Sequence, residues 1–218
     1  MITDEGMDAI RERKQALREE ARGRLRALTE SQRTECSGSA RKLLERHCIW
    51  TAAKKILFYA PLDGEVDVWP LLADAIRQGK EAYLPRFVGA GEPARTPDHA
   101  NPGQFPGTYV ICRITDPESE VRTGKYGIRE PAESCFQGQL NWLDLTLVPG
   151  VAFDLNGCRL GRGKGYYDRL LADVSGTTCG VAFDEQIVES LPTEPHDVRL
   201  NCILTPTRWI ELQAARGS

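Results

Sequence analysis

The chain reads as an α/β protein, with a mostly parallel central sheet covered by helices on both faces and a pair of helices at its N-terminus. Three observations predict this. Apolar runs of strand length alternate with segments of helical period, the pattern of βαβ units. The run Leu143 to Pro149, LDLTLVP, is apolar enough to be a central strand buried on both sides. A glycine-rich turn then leads toward a helix, and in such sheets ligands bind beyond the carboxyl ends of the strands.

The elements follow in order. Asp8 to Leu28 has helical character, and Thr29 with Gln32 forms a capping box for a second helix ending near His47. Lys55 to Ala60 (KILFYA) is a strand, Val68 to Gln78 a helix and Glu81 to Pro85 a short strand. From Gly89 to Gly107 the composition turns to Gly and Pro, an excursion over the surface, before strand signals resume at Tyr109 to Ile114. Asp116 to Gln139 is irregular. After the glycine turn come a helix from Tyr166 to about Val174, a strand from Thr178 to Phe183 and a last strand at Cys202 to Thr205.

Composition narrows the functional classes. The 218 residues suit one domain with a sizeable core, at 41% hydrophobic and 27% charged residues. A net charge of −3 argues against a nucleic-acid binder, so any affinity for anions has to be local. Seven cysteines, widely spaced and without a C-x-x-C pair, argue against a disulfide framework or a zinc site and for a reducing compartment. No apolar stretch is long enough to span a membrane, and the acidic N-terminus is unlike a targeting signal, so a cytoplasmic monomer is expected.

The segment Val148 to Leu171, VPGVAFDLNGCRLGRGKGYYDRLL, concentrates the chemistry. Gly161, Gly163 and Gly165 alternate with Arg162 and Lys164, so backbone N–H groups can approach an anion while two cations flank it. A helix starting near Gly165 would add its dipole. Tyr166, Tyr167 and Asp168 follow, two aromatic faces and a carboxylate able to hold a magnesium ion against phosphates. The string is neither a Walker A loop nor a dinucleotide-binding fingerprint, and by itself it fits an anion site and a solvated basic turn alike. On the first helix, Ile10, Leu17, Ala21, Leu25 and Leu28 share a sector of roughly 80° that also contains Lys14, with Arg18 at its edge. A lysine in a buried stripe either snorkels to water or meets an anion.

The string P-G-x-x-F-D-x-x-G-x-R-L-G-R-G-K-G-Y-Y-D closely resembles the signature of the 5-formyltetrahydrofolate cyclo-ligase family, and the likeness continues through KQALR, GEVD, YGIREP and EPHDVRL. The resemblance implies a single three-layer α/β/α domain. It also implies that ATP and 5-formyltetrahydrofolate are joined in a magnesium-dependent reaction giving 5,10-methenyltetrahydrofolate, ADP and phosphate. On that basis Lys14, Arg18, Arg162 and Lys164 are expected at the ATP phosphates, with Arg159 and the backbone of Gly161, Gly163 and Gly165 beside them. Lys14, Arg162 and Lys164 are the expected catalytic cations. Glu65 would orient the pterin, with Leu62 as an apolar wall and Tyr126 lining the site. Arg162, Gly163, Lys164, Gly165, Tyr166 and Tyr167 would form a wall between nucleotide and folate. Asp168 and Asp197 would hold magnesium. The sequence departs from the family pattern at Asn201, where an acidic residue is usual, which bears on hydrogen bonding around the metal. Two other classes stay open: a sugar-phosphate isomerase or CoA transferase on the same scaffold, and a binding module or silent paralogue without turnover. Lys14→Met is expected to leave the apo fold as stable as before or more so.

Overall fold

The structure, a computed structural model, describes residues 4–89, 107–124, 127–163, 165–194 and 197–212. The chain opens with helices α1 (Asp4–Arg26), α2 (Glu30–Arg46) and α3 (Cys48–Ala52). Strand β1 (Lys55–Leu57), helix α4 (Trp69–Arg77) and strands β2 (Glu81–Gly89) and β3 (Gly107–Ile114) follow. Next come α5 (Pro117–Glu120), β4 (Val121–Thr123), β5 (Arg129–Pro131), β6 (Gln137–Gly138) and β7 (Leu145–Val148). A hairpin of β8 (Ala152–Asp154) and β9 (Arg159–Leu160) leads to α6 (Tyr166–Ala172). The chain ends with β10 (Thr177–Val181), β11 (Ile187–Val188), β12 (Cys202–Leu204) and β13 (Trp209–Glu211). Among the described residues no helix is long and apolar enough to cross a membrane.

The main sheet has eight strands in the order β13-β12-β10-β7-β1-β2-β3-β6. Its centre, β12 through β2, is parallel, and its flanks β13, β3 and β6 are antiparallel. β7, buried at every position, sits between β1 and β10 as its unbroken apolar run requires. The sheet is therefore mostly parallel, as expected, but the antiparallel flanks were not. Neither was the length of β2, which runs through Pro85 to Gly89. Past Tyr83 the register with β1 ends and β2 is paired only with β3, so a residue without an N–H is tolerated there.

Alternate residues of the strands belong to two cores. Ile56, Leu84, Leu145 and Leu204 pack with Leu44, Leu71, Leu72 and Ala75, so α2 and α4 cover one face. Leu57, Tyr83, Ile111, Val148 and Ile203 pack with Leu170, Leu171 and Phe153, so α6 and β8 cover the other. That second cover is thinner in helix than the sequence implied, with a small sheet β11-β8-β9 standing beside α6. α1 packs on this small sheet: Leu17 and Ala21 meet Val151, Ala152 and Leu160. The expected capping box is present, with Thr29 Oγ1 accepting from Gln32 N and Gln32 Oε1 accepting from Thr29 N. All seven cysteines are free thiols.

The β8–β9 hairpin, which carries the glycine loop, is closed by one buried carboxylate. Asp154 is 1% exposed, and its Oδ1 accepts from the N–H groups of Asn156 (2.9 Å) and Cys158 (3.0 Å). Its Oδ2 accepts from Leu191 N at 2.9 Å, which ties the hairpin to the segment after β11. Asp154→Ala would strand these donors in a dry interior, so it is expected to lower stability by about 3 kcal/mol in urea denaturation. Asp154→Asn, which keeps one acceptor, should lose less.

Candidate active site

A cavity of about 310 Å³ opens beyond the carboxyl ends of β1 and β7, at Tyr59, Ala60, Pro149 and Gly150. Of the residues expected from sequence, Leu62, Glu65, Arg159, Gly161, Arg162, Gly165, Tyr166, Tyr167 and Asp168 line it. Lys164 and Tyr126 lie outside the described residues. Tyr126's neighbours Ile128, Arg129 and Glu130 do line the cavity.

The glycine loop is built around Arg159. Its side chain is 4% exposed, donates to Asp168 Oδ1 at 2.7 Å and to the Pro149 carbonyl at 3.5 Å, and lies 5.5 Å from the Tyr167 ring centroid. A Cβ at Gly161 would come within 2.9 Å of Arg159 Nη1, so a side chain there would press the guanidinium away from its bonds. From the other side Arg18 donates its Nε to the Gly161 carbonyl at 2.9 Å. Gly163 (φ 96°) and Gly165 (φ 62°) occupy the left-handed region, which a side chain would strain. A Cβ at Gly163 would also lie 3.5 Å from the Arg18 guanidinium carbon. α6 has only seven residues, so cations rather than a long helix dipole dominate the loop's potential.

Glu65 faces the loop from the other wall. Its Oε2 accepts from Leu62 N at 3.0 Å, and its Oε1 accepts from Arg162 Nε (3.3 Å) and Nη2 (3.1 Å). Burial pushes the Glu65 carboxyl above its ordinary value, while the Leu62 N–H and the Arg162 charge oppose the rise. Burial likewise raises the Tyr167 phenol, the Glu65 charge adding to it and Arg159 opposing. Tyr166 meets Tyr109 and Phe87 edge-on, with centroids 5.2 and 5.9 Å apart. Phe87, Tyr109 and Pro85 were not anticipated. They come from the outer parts of β2 and β3; Pro85 masked the stretch of β2 that carries Phe87, and Tyr109 was read as a strand residue with no sign of which face it would present.

Lys14 sits in the buried stripe of α1 with Leu17, Ala21 and Leu25, as its helical position required. Its ammonium is held by the protein's own carboxylates: it donates to Glu194 Oε2 at 2.5 Å and Asp197 Oδ2 at 2.9 Å, with its side chain 10% exposed. Burial pulls the Lys14 pKa down, and the two carboxylates more than reverse this, leaving it raised. Asp197 Oδ2 also accepts from Glu194 N at 2.8 Å. The two carboxylates expected to share a metal are thus committed to separate cations, Asp168 to Arg159 and Asp197 to Lys14. Among the described residues no group of three His, Cys, Asp or Glu side chains is placed to hold a metal ion. Asp168, on the cavity wall, suits a magnesium ion that is otherwise held by phosphates and water; Asp197 is not among the residues lining the cavity. Asn201 does not belong to this site. Its Oδ1 accepts from Thr178 N (2.7 Å) and Oγ1 (2.9 Å) at the amino edge of β10 and β12, away from the carboxyl ends that frame the cavity. The missing acid there leaves the cavity wall unchanged.

Fold and site together define an α/β protein whose ligand cavity lies beyond the ends of parallel strands and is ringed by paired cations and carboxylates. The model of the 5-formyltetrahydrofolate cyclo-ligase family matches residues 10–206, and the chain belongs to that family of enzymes. It is 30% identical over 203 residues to the 5-formyltetrahydrofolate cyclo-ligase of Mus musculus, covering 88% of this chain and 92% of that one. It is 32% identical over 191 residues to the enzyme of the same name from Escherichia coli K12, covering 86% and 97%. The NMR structure of Aquifex aeolicus 5,10-methenyltetrahydrofolate synthetase superposes with a TM-score of 0.78 at 32% identity, covering 94% of this chain and 95% of that one.

The Lys14 geometry reverses the stability expected of Lys14→Met. Removing the ammonium leaves two neighbouring part-buried carboxylates, Glu194 and Asp197, without the cation between them, so the apo protein should lose about 3 kcal/mol in chemical denaturation. The additional change Glu194→Gln should restore part of that loss.

Proposed function

We propose that the chain is a single-domain enzyme that closes 5-formyltetrahydrofolate to 5,10-methenyltetrahydrofolate at the expense of ATP. The observation that carries this reading is the Glu65–Arg162 pair, because it joins a carboxylate suited to a pterin edge with a cation of the phosphate-type glycine loop. An ionised carboxylate accepts two N–H bonds from an amino-pyrimidine edge, and Glu65 has the burial that makes such bonds selective. Leu62 and the Tyr109–Tyr166 pair offer apolar and aromatic surface to a flat ring.

The chemistry explains why a phosphoryl donor is needed. A formamide oxygen is a poor leaving group. The formyl oxygen attacks the γ-phosphorus, the bond to the β-phosphate oxygen breaks and ADP leaves. The second nitrogen then attacks the activated carbon and loses its proton, while the former formyl oxygen departs as phosphate. The protein's part is alignment and charge neutralisation. Arg162 and Lys164 would neutralise the γ-phosphoryl, with Arg18 and Arg159 holding the loop that carries them. Lys14 would approach the phosphates on exchanging Glu194 and Asp197 for them. Magnesium bound with ATP would supply further charge neutralisation, with Asp168 as its protein ligand. No covalent protein nucleophile is required.

Mixing purified protein, ATP, a magnesium salt and 5-formyltetrahydrofolate should produce the near-ultraviolet absorbance of methenyltetrahydrofolate. Turnover with ATP omitted, or undiminished by excess chelator, would sink the mechanism.

Glu65→Gln separates substrate binding from folding. Since the native Glu65 pKa lies above its unfolded value, its stabilising contribution is complete at low pH and is lost as pH rises from the ordinary carboxylate range through the raised value. The variant lacks that loss, so its apo stability relative to wild type should grow from pH 4 to 7 in thermal melts. Its KM for 5-formyltetrahydrofolate should rise about 30- to 1,000-fold, equivalent to roughly 2–4 kcal/mol for a broken buried charge-assisted contact, with KM for ATP far less affected.

A further inference from the structure

One cation of the cavity remains unexplained by the loop. Arg159 is bound to Asp168 and Arg162 to Glu65. Arg129, on β5 and half-buried, also lines the cavity, yet among the described residues its guanidinium forms no hydrogen bond or ion pair. Instead it lies 3.7 Å over the ring centroid of Trp69, at the start of α4. Of the neighbouring carboxylates, Asp67 acts on Arg129 through its charge but spends its hydrogen bonds elsewhere. Asp67 accepts from Trp69 N through Oδ1 (3.0 Å), and its Oδ2 lies 3.6 Å from Arg41. Glu130, next along β5, is influenced by Arg86 and the Phe87 N–H. A guanidinium stacked on an indole keeps its edge donors in one plane, ready for a bidentate anion, at little further cost in side-chain entropy.

Two features decide which anion. Arg129 belongs to the β4–β5 hairpin packed on β2, not to the glycine loop, so it stands on a different wall from the cations proposed for phosphate. The cavity, at about 310 Å³, is at the small end of ligand pockets, so a pterin that fills it must send the rest of the molecule out past the half-buried rim. The remainder of 5-formyltetrahydrofolate ends in a glutamate, the only part of that substrate with carboxylates. We infer that Arg129, braced by Trp69, binds a carboxylate of the substrate's glutamate tail and sets the preference for folates that carry it. This rests on the functional reading above.

The test compares wild type, Arg129→Met and Arg129→Lys on 5-formyltetrahydrofolate and on 5-formyltetrahydropteroate, which lacks the glutamate. Steady-state turnover and equilibrium dialysis are run in parallel, with thermal melts to confirm folding. Arg129→Met keeps an apolar stem over Trp69. It should raise KM and Kd for the glutamate-bearing substrate about 10- to 100-fold, as for losing one charge-assisted bidentate contact, with kcat and KM for ATP within about 2-fold of wild type. Arg129→Lys, which keeps the charge and loses the fork, should fall between. Wild type and both variants should handle the pteroate alike. A rise in KM for ATP, or an equal loss on the pteroate, overturns the inference. If wild type binds folate in a tail- and Arg129-dependent way without turning it over, the functional reading fails and the inference stands. Turnover that ignores both tail and Arg129 sinks the inference alone, and no binding of either compound sinks both.

Discussion

The site depends first on the buried guanidinium of Arg159. A charge with 4% of its side chain exposed persists only if it is paired and hydrogen-bonded, and the partners available are Asp168 and the Pro149 carbonyl. Those bonds fix the end of β7, the strand β9 and the first turn of α6 relative to one another. The same guanidinium dictates part of the loop sequence. A side chain at Gly161 would push the end of the Arg159 guanidinium out of place, a steric demand separate from any approach to phosphate. Much of the string R-L-G-R-G-K-G-Y-Y-D is therefore intelligible as the shell of one arginine, with Tyr167 beside it and Asp168 on it.

A second regularity follows from the same electrostatics. Arg162 pairs with Glu65, Lys14 with Glu194 and Asp197, and Arg159 with Asp168, so three of the cations named for the site carry carboxylate partners from the protein itself. These pairs keep the three cations from facing one another bare. A polyanion that arrives must compete with carboxylates already in place, and the carboxylates it releases become available to other ligands. In the proposed reaction Arg162 is the hinge of this exchange, because its partner Glu65 is the group proposed for the pterin. Binding of the two substrates would then be linked energetically, as any shared partner requires.

Sequence alone made the local features legible. The capping box at Thr29, the buried run of β7 and the stripe that includes Lys14 are set by residues within a few positions of one another, and all three stand in the structure. Features set by distant partners were not. β8, β9, β11 and β13 are two or three residues long and exist through their pairing, which no local period announces. The carboxylates on Lys14 lie 180 and 183 residues away, so a choice between water and a ligand anion omitted the protein's own anions. Phe87 was hidden because Pro85 looked like the end of a strand, a rule that fails where one edge of the strand has no partner, and Tyr109, read only as the start of its strand, meets the site through its pairing with Phe87.

The placement of α1 shows how packing and charge cooperate. The middle of its apolar stripe lies on the small sheet, where Leu17 and Ala21 meet Val151, Ala152 and Leu160, while Leu25 and Leu28 at its end join the core of the main sheet. β9 of that sheet runs directly into the glycine loop, so the surface that seats the helix is continuous with the loop it serves. Arg18, one turn beyond Lys14, therefore reaches the Gly161 carbonyl, and Lys14 reaches the segment that follows β11. Two cations at i and i+4 on one helix thus clamp two separate loops, and the hydrophobic contacts between them set the height at which both clamps act. A slide of α1 by one turn would move Arg18 to where Lys14 stands and break both connections, so the small hydrophobic interface beneath the helix governs the electrostatics of the site.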